Sequence, residues 1–222
     1  MGVPPSPAIA ALKSRAWFFD RPGLPRVTAM LTREDRLLLH HIARHCYTGQ
    51  GAVIDAGCFI GGSTVALAHG LKGWSEAAGR PAPVVHSYDL FEVGGMTRGA
   101  RLPAHLKPGD SFRPVFEANI RPYRDRVEIH EGDIRAETWS GGPIEILFID
   151  CAKSPDIGDA IVERFFPHLI PGVSIVVQQD YLYPSWNAWL HIAMEALSPY
   201  FEILTDCGID SVAFRNTAAI PP

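Results

Sequence analysis

Val53-Ile54-Asp55-Ala56-Gly57-Cys58-Phe59-Ile60-Gly61-Gly62-Ser63-Thr64-Val65-Ala66-Leu67-Ala68 is the stretch that decides the fold of this chain. An apolar run ends in an aspartate, a glycine-containing turn follows, and small and aliphatic residues then continue at helical spacing. The pattern predicts a buried strand, a tight turn and a helix over 63–78. In open α/β sheets, ligands bind outside the carboxyl ends of the strands, where such a turn lies. Gly57 and Gly61 allow a close approach of backbone to ligand that a Cβ would block. Ser63 or Thr64 is placed to cap the helix, whose first N–H groups favour an anionic partner such as a carboxylate. The spacing D-x-G-x-x-x-G lacks the glycine pair of the dinucleotide fingerprint, and no Gly-Lys-Ser/Thr of a P-loop follows. A nicotinamide-dependent oxidoreductase is therefore disfavoured.

Outward from this turn, short apolar runs alternate with amphipathic ones. Strands are predicted over 52–56, 84–89, 126–130, 144–150 and 173–178, and helices over 63–78, 111–120, 155–166 and 186–197. The alternation predicts an α/β, Rossmann-like three-layer sandwich with a mostly parallel sheet of about seven strands. The segments 201–204 and 211–214 are joined by six residues, too few for a parallel crossover, so the last strand should run antiparallel. Upstream, Thr32 with Asp35 reads as a helix start, followed by Leu37, Leu38, His41, Ile42 and His45 at helical spacing. His40, His41 and His45 are read as ordinary histidines of a packed helix rather than metal ligands. Residues 1–30 are proline-rich and carry Trp17-Phe18-Phe19. They are expected to form an irregular arm that packs on the domain or covers its site, with residues 31–222 as the domain itself.

Composition narrows the function. The 222 residues are 47% hydrophobic and 20% charged, enough for one full α/β core. Lys plus Arg number 20 against 24 Asp plus Glu, a net charge of −4, without a basic run. A nucleic-acid partner is not expected. Cys46, Cys58, Cys151 and Cys207 form no CxxC pair, which fits reduced thiols rather than a disulfide framework or zinc site. The first residues lack the basic and apolar regions of a signal peptide, and no apolar run reaches the ~18 residues of a membrane span. The reading is a cytoplasmic chain with no membrane partner.

Two further strand ends carry carboxylates. Asp89 closes Val84-Val85-His86-Ser87-Tyr88-Asp89, one βαβ unit downstream, where an acidic residue can accept both ribose hydroxyl hydrogens. Asp133, in Glu131-Gly132-Asp133-Ile134, can accept from an adenine amino group. Each alone could cap a turn; three in this order point to a nucleoside site.

The order D-x-G-x-x-x-G-x-S, D-x-F-E, E-G-D and I-D resembles the class I S-adenosylmethionine-dependent methyltransferases. Tyr88-Asp89-Leu90-Phe91-Glu92 and Gly61-Gly62-Ser63-Thr64 are similar to the macrocin O-methyltransferase group, which acts on sugar hydroxyls; the resemblance covers about residues 50–215. It implies S-adenosyl-L-methionine as cofactor, with Asp55, Gly57 and Gly61 around the methionine moiety, Asp89 on the ribose, Phe91 beside the adenine and Asp133 on its amine. Ala56, Ser63, Thr64, Leu90, Ile134 and Asp150 complete the implied cofactor site.

At the reacting end stands Ile146-Leu147-Phe148-Ile149-Asp150-Cys151-Ala152-Lys153. Its D-x-x-K is similar to the catechol and caffeoyl-CoA O-methyltransferases, in which the aspartate binds a metal and the lysine is the proposed base. The macrocin group carries D-x-D, and Ala152 stands in place of its second carboxylate. The catalytic candidates are therefore Lys153 and Asp150. As a base, Lys153 needs burial or a neighbouring cation to bring its pKa toward neutrality. Metal-dependent relatives carry Asp-Asp or Asp-Asn after the next strand; here Gln178-Gln179 or Gln179-Asp180 aligns, each losing a carboxylate. A constitutive Mg²⁺ is not expected; its ligands would be Asp150, Gln179 and Asp180. Tyr181, Tyr183, Trp186 and Trp189 are candidate walls of an acceptor pocket. Arg98 and Arg101, in the glycine- and proline-containing segment 92–110, are candidate contacts of a lid to the acceptor.

The expected function is methyl transfer to a hydroxyl of a small sugar- or phenol-like acceptor. The alternative is an S-adenosylmethionine-binding protein without methyl transfer. The sequence leaves open a homo-oligomer, and whether the arm closes its own site or a neighbour's.

Overall fold

The computed structural model describes residues 7–95, 97 and 101–221. The strands are β1 (Ala52–Ala56), β2 (Val85–Asp89), β3 (Val127–Glu131), β4 (Ile144–Ile149), β5 (Ile175–Gln178), β6 (Phe201–Asp206) and β7 (Val212–Asn216). They form one sheet in the order β3-β2-β1-β4-β5-β7-β6. The first five are parallel, and β7 runs antiparallel to both β5 and β6. Strand order reverses between β1 and β4, which opens a crevice at their carboxyl ends.

The period of two along each strand sends alternate residues to opposite faces. Val53, Val85, Ile146, Phe148, Ile175 and Val177 enter one core, shared with helices α2 (Arg33–His41), α3 (Gly62–Ala78) and α4 (Arg113–Ile120). Ile54, Tyr88, Leu147, Ile149 and Val176 enter the other, against α5 (Pro155–Phe165) and α6 (Ala188–Ala196). Helix α2 starts with the expected capping box, the Thr32 hydroxyl and Asp35 carboxylate each accepting the other's backbone N–H. It packs tightly on α3: a Cβ on Gly70 would lie 2.6 Å from the His40 carbonyl oxygen.

Two expectations need correction. Among its described residues the arm is irregular only over 20–30, because it begins with helix α1 (Pro7–Lys13) and a 3₁₀ turn at Ala16–Phe19. Ile9, Leu12 and Trp17 are buried in the same core as α2 and α3, so folding these turns removes large apolar side chains from water. Helix α3 begins at Gly62, and neither Ser63 nor Thr64 caps it. Their hydroxyls are held elsewhere, as described below.

Strand β4 is buried throughout yet contains Glu145. Its carboxylate accepts the backbone N–H groups of Thr48, Gln50 (2.7 Å) and Gly51 (3.0 Å). These bonds offset the desolvation of the charge and tie the turn before β1 to the neighbouring strand.

Candidate active site

Asp55, the last polar residue of β1, is fully buried. Its Oδ2 accepts hydrogen bonds from the hydroxyls of Ser63 (2.9 Å) and Thr64 (2.5 Å), while Oδ1 has no partner among the described residues. Burial pushes this carboxyl up to about 7, against the pull of the two hydroxyls. Asp55 therefore fastens the start of α3 to the sheet, which explains why Ser63 and Thr64 do not cap it. Gly57 and Gly61 also answer to the protein itself. A Cβ on Gly57, at φ 94°, would fall 2.7 Å from the Cys151 backbone nitrogen, and one on Gly61 would press on Ile120 and Phe116.

Between the carboxyl ends of the strands lies a cavity of about 460 Å³, within the usual range for small-molecule sites. Asp89 stands at its middle. The backbone N–H of Phe59 donates to Asp89 Oδ2 (2.8 Å) and that of Phe91 to Oδ1 (3.0 Å). Burial raises the Asp89 pKa, and the backbone donors hold it back. No side-chain cation pairs with it among the described residues, so each oxygen keeps acceptor capacity toward the cavity. Phe59 (φ 45°) and Phe91 (φ 54°) both adopt the left-handed backbone region. This strained conformation at two bulky residues aims their N–H groups at one carboxylate.

Leu90, 59% exposed, lines the cavity with Phe59, Tyr88 and Ile134, giving apolar faces beside Asp133. Arg135 grips Asp133 through its guanidinium (2.6 Å to Oδ2) and lowers its pKa. Phe91 does not face this space. It is fully buried against Phe112 and Phe116, with ring centroids 5.7 and 5.1 Å away.

At the other end, Lys153 Nζ donates to Asp150 Oδ1 (2.6 Å), Asp180 Oδ2 (2.5 Å) and Gln179 Oε1 (3.2 Å). Burial alone would lower the lysine pKa and is the largest single influence, but the two carboxylates together outweigh it and the net shift is upward. The fall toward neutrality that a lysine base requires is not found. Asp150 moves up to about 6, because burial exceeds the pull of Lys153 and Asp180 adds repulsion. The three oxygens that would ligate Mg²⁺ converge instead on the lysine ammonium. With that charge in place, the donor set does not fit a divalent cation.

Of the predicted cofactor residues, Gly57, Asp89, Leu90, Asp133, Ile134 and Asp150 line the cavity; Asp55, Ala56, Gly61, Ser63, Thr64 and Phe91 do not. None of the proposed acceptor aromatics lines it, although the Tyr183 hydroxyl bonds to Asp210, which does. Trp189 donates to the Ala152 carbonyl (2.9 Å), Tyr181 stacks on His191, and Tyr183 and Trp186 are exposed. Arg101 is exposed, and Arg98 lies outside the described residues. Sequence reasoning missed Met30 and Leu31 from the end of the arm, Thr97, and Asp210 from the β6–β7 turn, all of which line the cavity. The only signal for them is topological: the arm and the last hairpin both return to the carboxyl edge.

This geometry can be set beside solved structures. The O-methyltransferase NovP superposes with a TM-score of 0.66 at 14% identity, over 95% of this chain and 97% of that one. CalS11, described as a TDP-rhamnose 3'-O-methyltransferase of calicheamicin biosynthesis, superposes with a TM-score of 0.60 at 19% identity, over 96% of each chain. The fold is the Rossmann-like methyltransferase fold. No protein-family model matches the chain, and no curated sequence does.

Proposed function

We propose that this chain is an S-adenosylmethionine-dependent O-methyltransferase, acting in the cytoplasm on a hydroxyl of a small sugar- or phenol-like acceptor. The observation that carries the proposal is one continuous cavity. It joins Asp89, anchored by two backbone N–H groups and open to a diol, to the Asp150–Lys153–Asp180 cluster. A sugar acceptor is favoured by the likeness to CalS11, a TDP-rhamnose 3'-O-methyltransferase. Neither a nucleic acid nor a membrane is a partner in this reading. The net charge is −4, and no helix among the described residues is long and apolar enough to cross a membrane.

The donor set suits the cofactor. Asp89 accepts from the ribose hydroxyls, Leu90, Phe59, Tyr88 and Ile134 enclose the adenine, and Asp133 accepts from its amine. Bound S-adenosylmethionine supplies an electrophilic methyl group. The chain's residues position the acceptor oxygen for in-line attack, and that alignment contributes several kcal/mol. Asp150 takes the proton that the hydroxyl loses. A carboxyl near 6 is better poised for this near neutral pH than a lysine held charged. Lys153 holds Asp150 and Asp180 in place, and the end of the arm at Met30 and Leu31 shields the site from water.

Calorimetric titration with S-adenosylmethionine and S-adenosylhomocysteine tests the cofactor half. Micromolar binding is expected, weakened about 100-fold or more in Asp89→Ala, since charge-assisted bonds of about 1.5–3 kcal/mol each are lost. Failure of both ligands to bind overturns the proposal. Turnover to S-adenosylhomocysteine across a panel of nucleotide-linked sugars and phenols tests the transfer. Binding without turnover on any of them favours a cofactor-binding protein instead.

A further inference from the structure

On the face of the sheet that carries α5, three polar side chains from two adjacent strands converge away from the cavity. His86 on β2 is the register partner of Glu128 on β3, and His130 lies two residues further along β3 on the same face. His86 Nδ1 lies 3.2 Å from His130 Nε2 and 3.6 Å from Glu128 Oε2, and His130 Nε2 lies 3.5 Å from Glu128 Oε1. We infer that His86, Glu128 and His130 form a binding site for Zn²⁺ or a chemically similar divalent cation.

The argument rests on spacing and support. Zinc ligands about 2.0–2.1 Å from the ion sit about 3.3–3.4 Å from one another in a tetrahedron. The two imidazole nitrogens, 3.2 Å apart, are close to that value, and each lies 3.5–3.6 Å from a different oxygen of Glu128, so rotation of this exposed carboxylate brings one oxygen to both. Two imidazoles and one carboxylate suit zinc, whereas Mg²⁺ and Ca²⁺ prefer oxygen ligands. Both rings are held from behind. The Trp139 ring packs edge-on to His86 (4.9 Å, 78°), and Tyr88 stacks flat on His130 (4.2 Å, 9°). The imidazole side chains are only 19% and 22% exposed, while Glu128 at 57% leaves the open side to solvent. A water molecule can therefore complete the tetrahedron. Tyr88 also lines the cofactor cavity, so the ion sits one ring stack away from the adenine end.

A second cluster, Asp20, His41 and His45, offers the same ligand types and is the competing site, which His45→Asn tells apart. Full-length protein, freed of metal by chelation, is titrated with ZnCl₂ by calorimetry and with Co²⁺ by visible absorption, and its tryptophan emission is compared with that of Trp139→Phe, since the chain has five tryptophans. The expected result is one ion per chain, a tetrahedral Co²⁺ spectrum and a change in tryptophan emission. Glu128→Gln, at an exposed position that does not threaten folding, should weaken binding about tenfold or more. His130→Asn should remove the tight site, and His45→Asn should leave it intact. Absence of zinc binding overturns the inference. So does binding that survives both Glu128→Gln and His130→Asn, or that disappears in His45→Asn.

Discussion

The two ends of the cavity solve the same problem in opposite ways. At the nucleoside end, Asp89 is held by the backbone N–H groups of Phe59 and Phe91 with no side-chain cation in contact among the described residues, while its neighbour Asp133 pairs with Arg135. At the reacting end, Asp150 and Asp180 share the ammonium of Lys153. Neutral donors leave an anionic acceptor free to receive hydroxyl hydrogens, which suits a ribose. A built-in cation cancels charge where an acceptor must lose a proton, and it occupies the space a divalent ion would use. The contrast explains how a D-x-x-K motif persists without the carboxylate pair that normally accompanies a metal.

The largest expected effect separates fold from ligand contact within two neighbouring residues of the nucleoside end. Phe91→Ala should lower unfolding free energy by about 3–5 kcal/mol, because a fully buried ring is removed from between Phe112 and Phe116. Leu90→Ala, at an exposed position on the cavity wall, should leave stability nearly unchanged and weaken cofactor binding several-fold. Denaturant melts paired with calorimetry read both quantities. If the two variants exchanged phenotypes, the assignment of Leu90 rather than Phe91 to the adenine wall would fail.

This pair also shows what the sequence made legible. Alternating apolar runs place β1 at Ala52–Ala56 and all six other strands within a few residues, because burial on both faces of a sheet leaves a strong signature. The carboxylates at strand ends were legible for the same reason: topology sends those ends to one edge. Side-chain direction was not. Asp89-Leu90-Phe91 turns through a left-handed residue, so the larger aromatic goes into the core and the aliphatic residue faces the cavity. The glycines carry a second role that spacing does not reveal, since Gly57 lines the cavity and both Gly57 and Gly61 also clear space for the protein's own backbone and side chains. Met30, Leu31 and Asp210 come from segments distant in sequence, which periodicity does not connect to the strand ends.

A second, smaller effect sharpens the reacting end. Lys153→Met should lower kcat about 100-fold while cofactor affinity changes little, because the lysine positions the carboxylates and does not touch the nucleoside. The acid limb of the rate profile reports Asp150, active when deprotonated, so the rate should rise through about pH 6 in the parent protein. Loss of the cation removes the influence that lowers the Asp150 pKa and leaves Asp180 beside it, so the limb should move to higher pH. The variant should also bind Mg²⁺ more tightly than the parent, measurable by titration. An unshifted limb would mean that a different group takes the proton.

The smallest effect concerns Asp55, buried at the end of β1 beneath the nucleoside end, through stability alone. Asp55 has a folded pKa of about 7, well above its unfolded value. Between roughly pH 4 and 7 the folded chain thus retains a proton that the unfolded chain has released. The sign follows from linkage: this group favours the fold most at low pH, and its contribution is lost as pH rises through about 7. Asp150, raised to about 6, adds to the Asp55 slope, and His40, pushed down to about 3 by burial, acts in the opposite direction below about pH 6.5, so the total profile mixes all three. Asp55→Asn separates them, since the amide oxygen still accepts from Ser63 and Thr64 but carries no titrating proton. The stability difference between variant and parent should therefore grow with pH, at no more than about 1.4 kcal/mol per unit. A difference that is flat from pH 4 to 8 would show that Asp55 is ionised throughout. In that case Ser63 and Thr64 would do for Asp55 what Lys153 does for Asp150, and the contrast between the two ends would narrow to geometry alone.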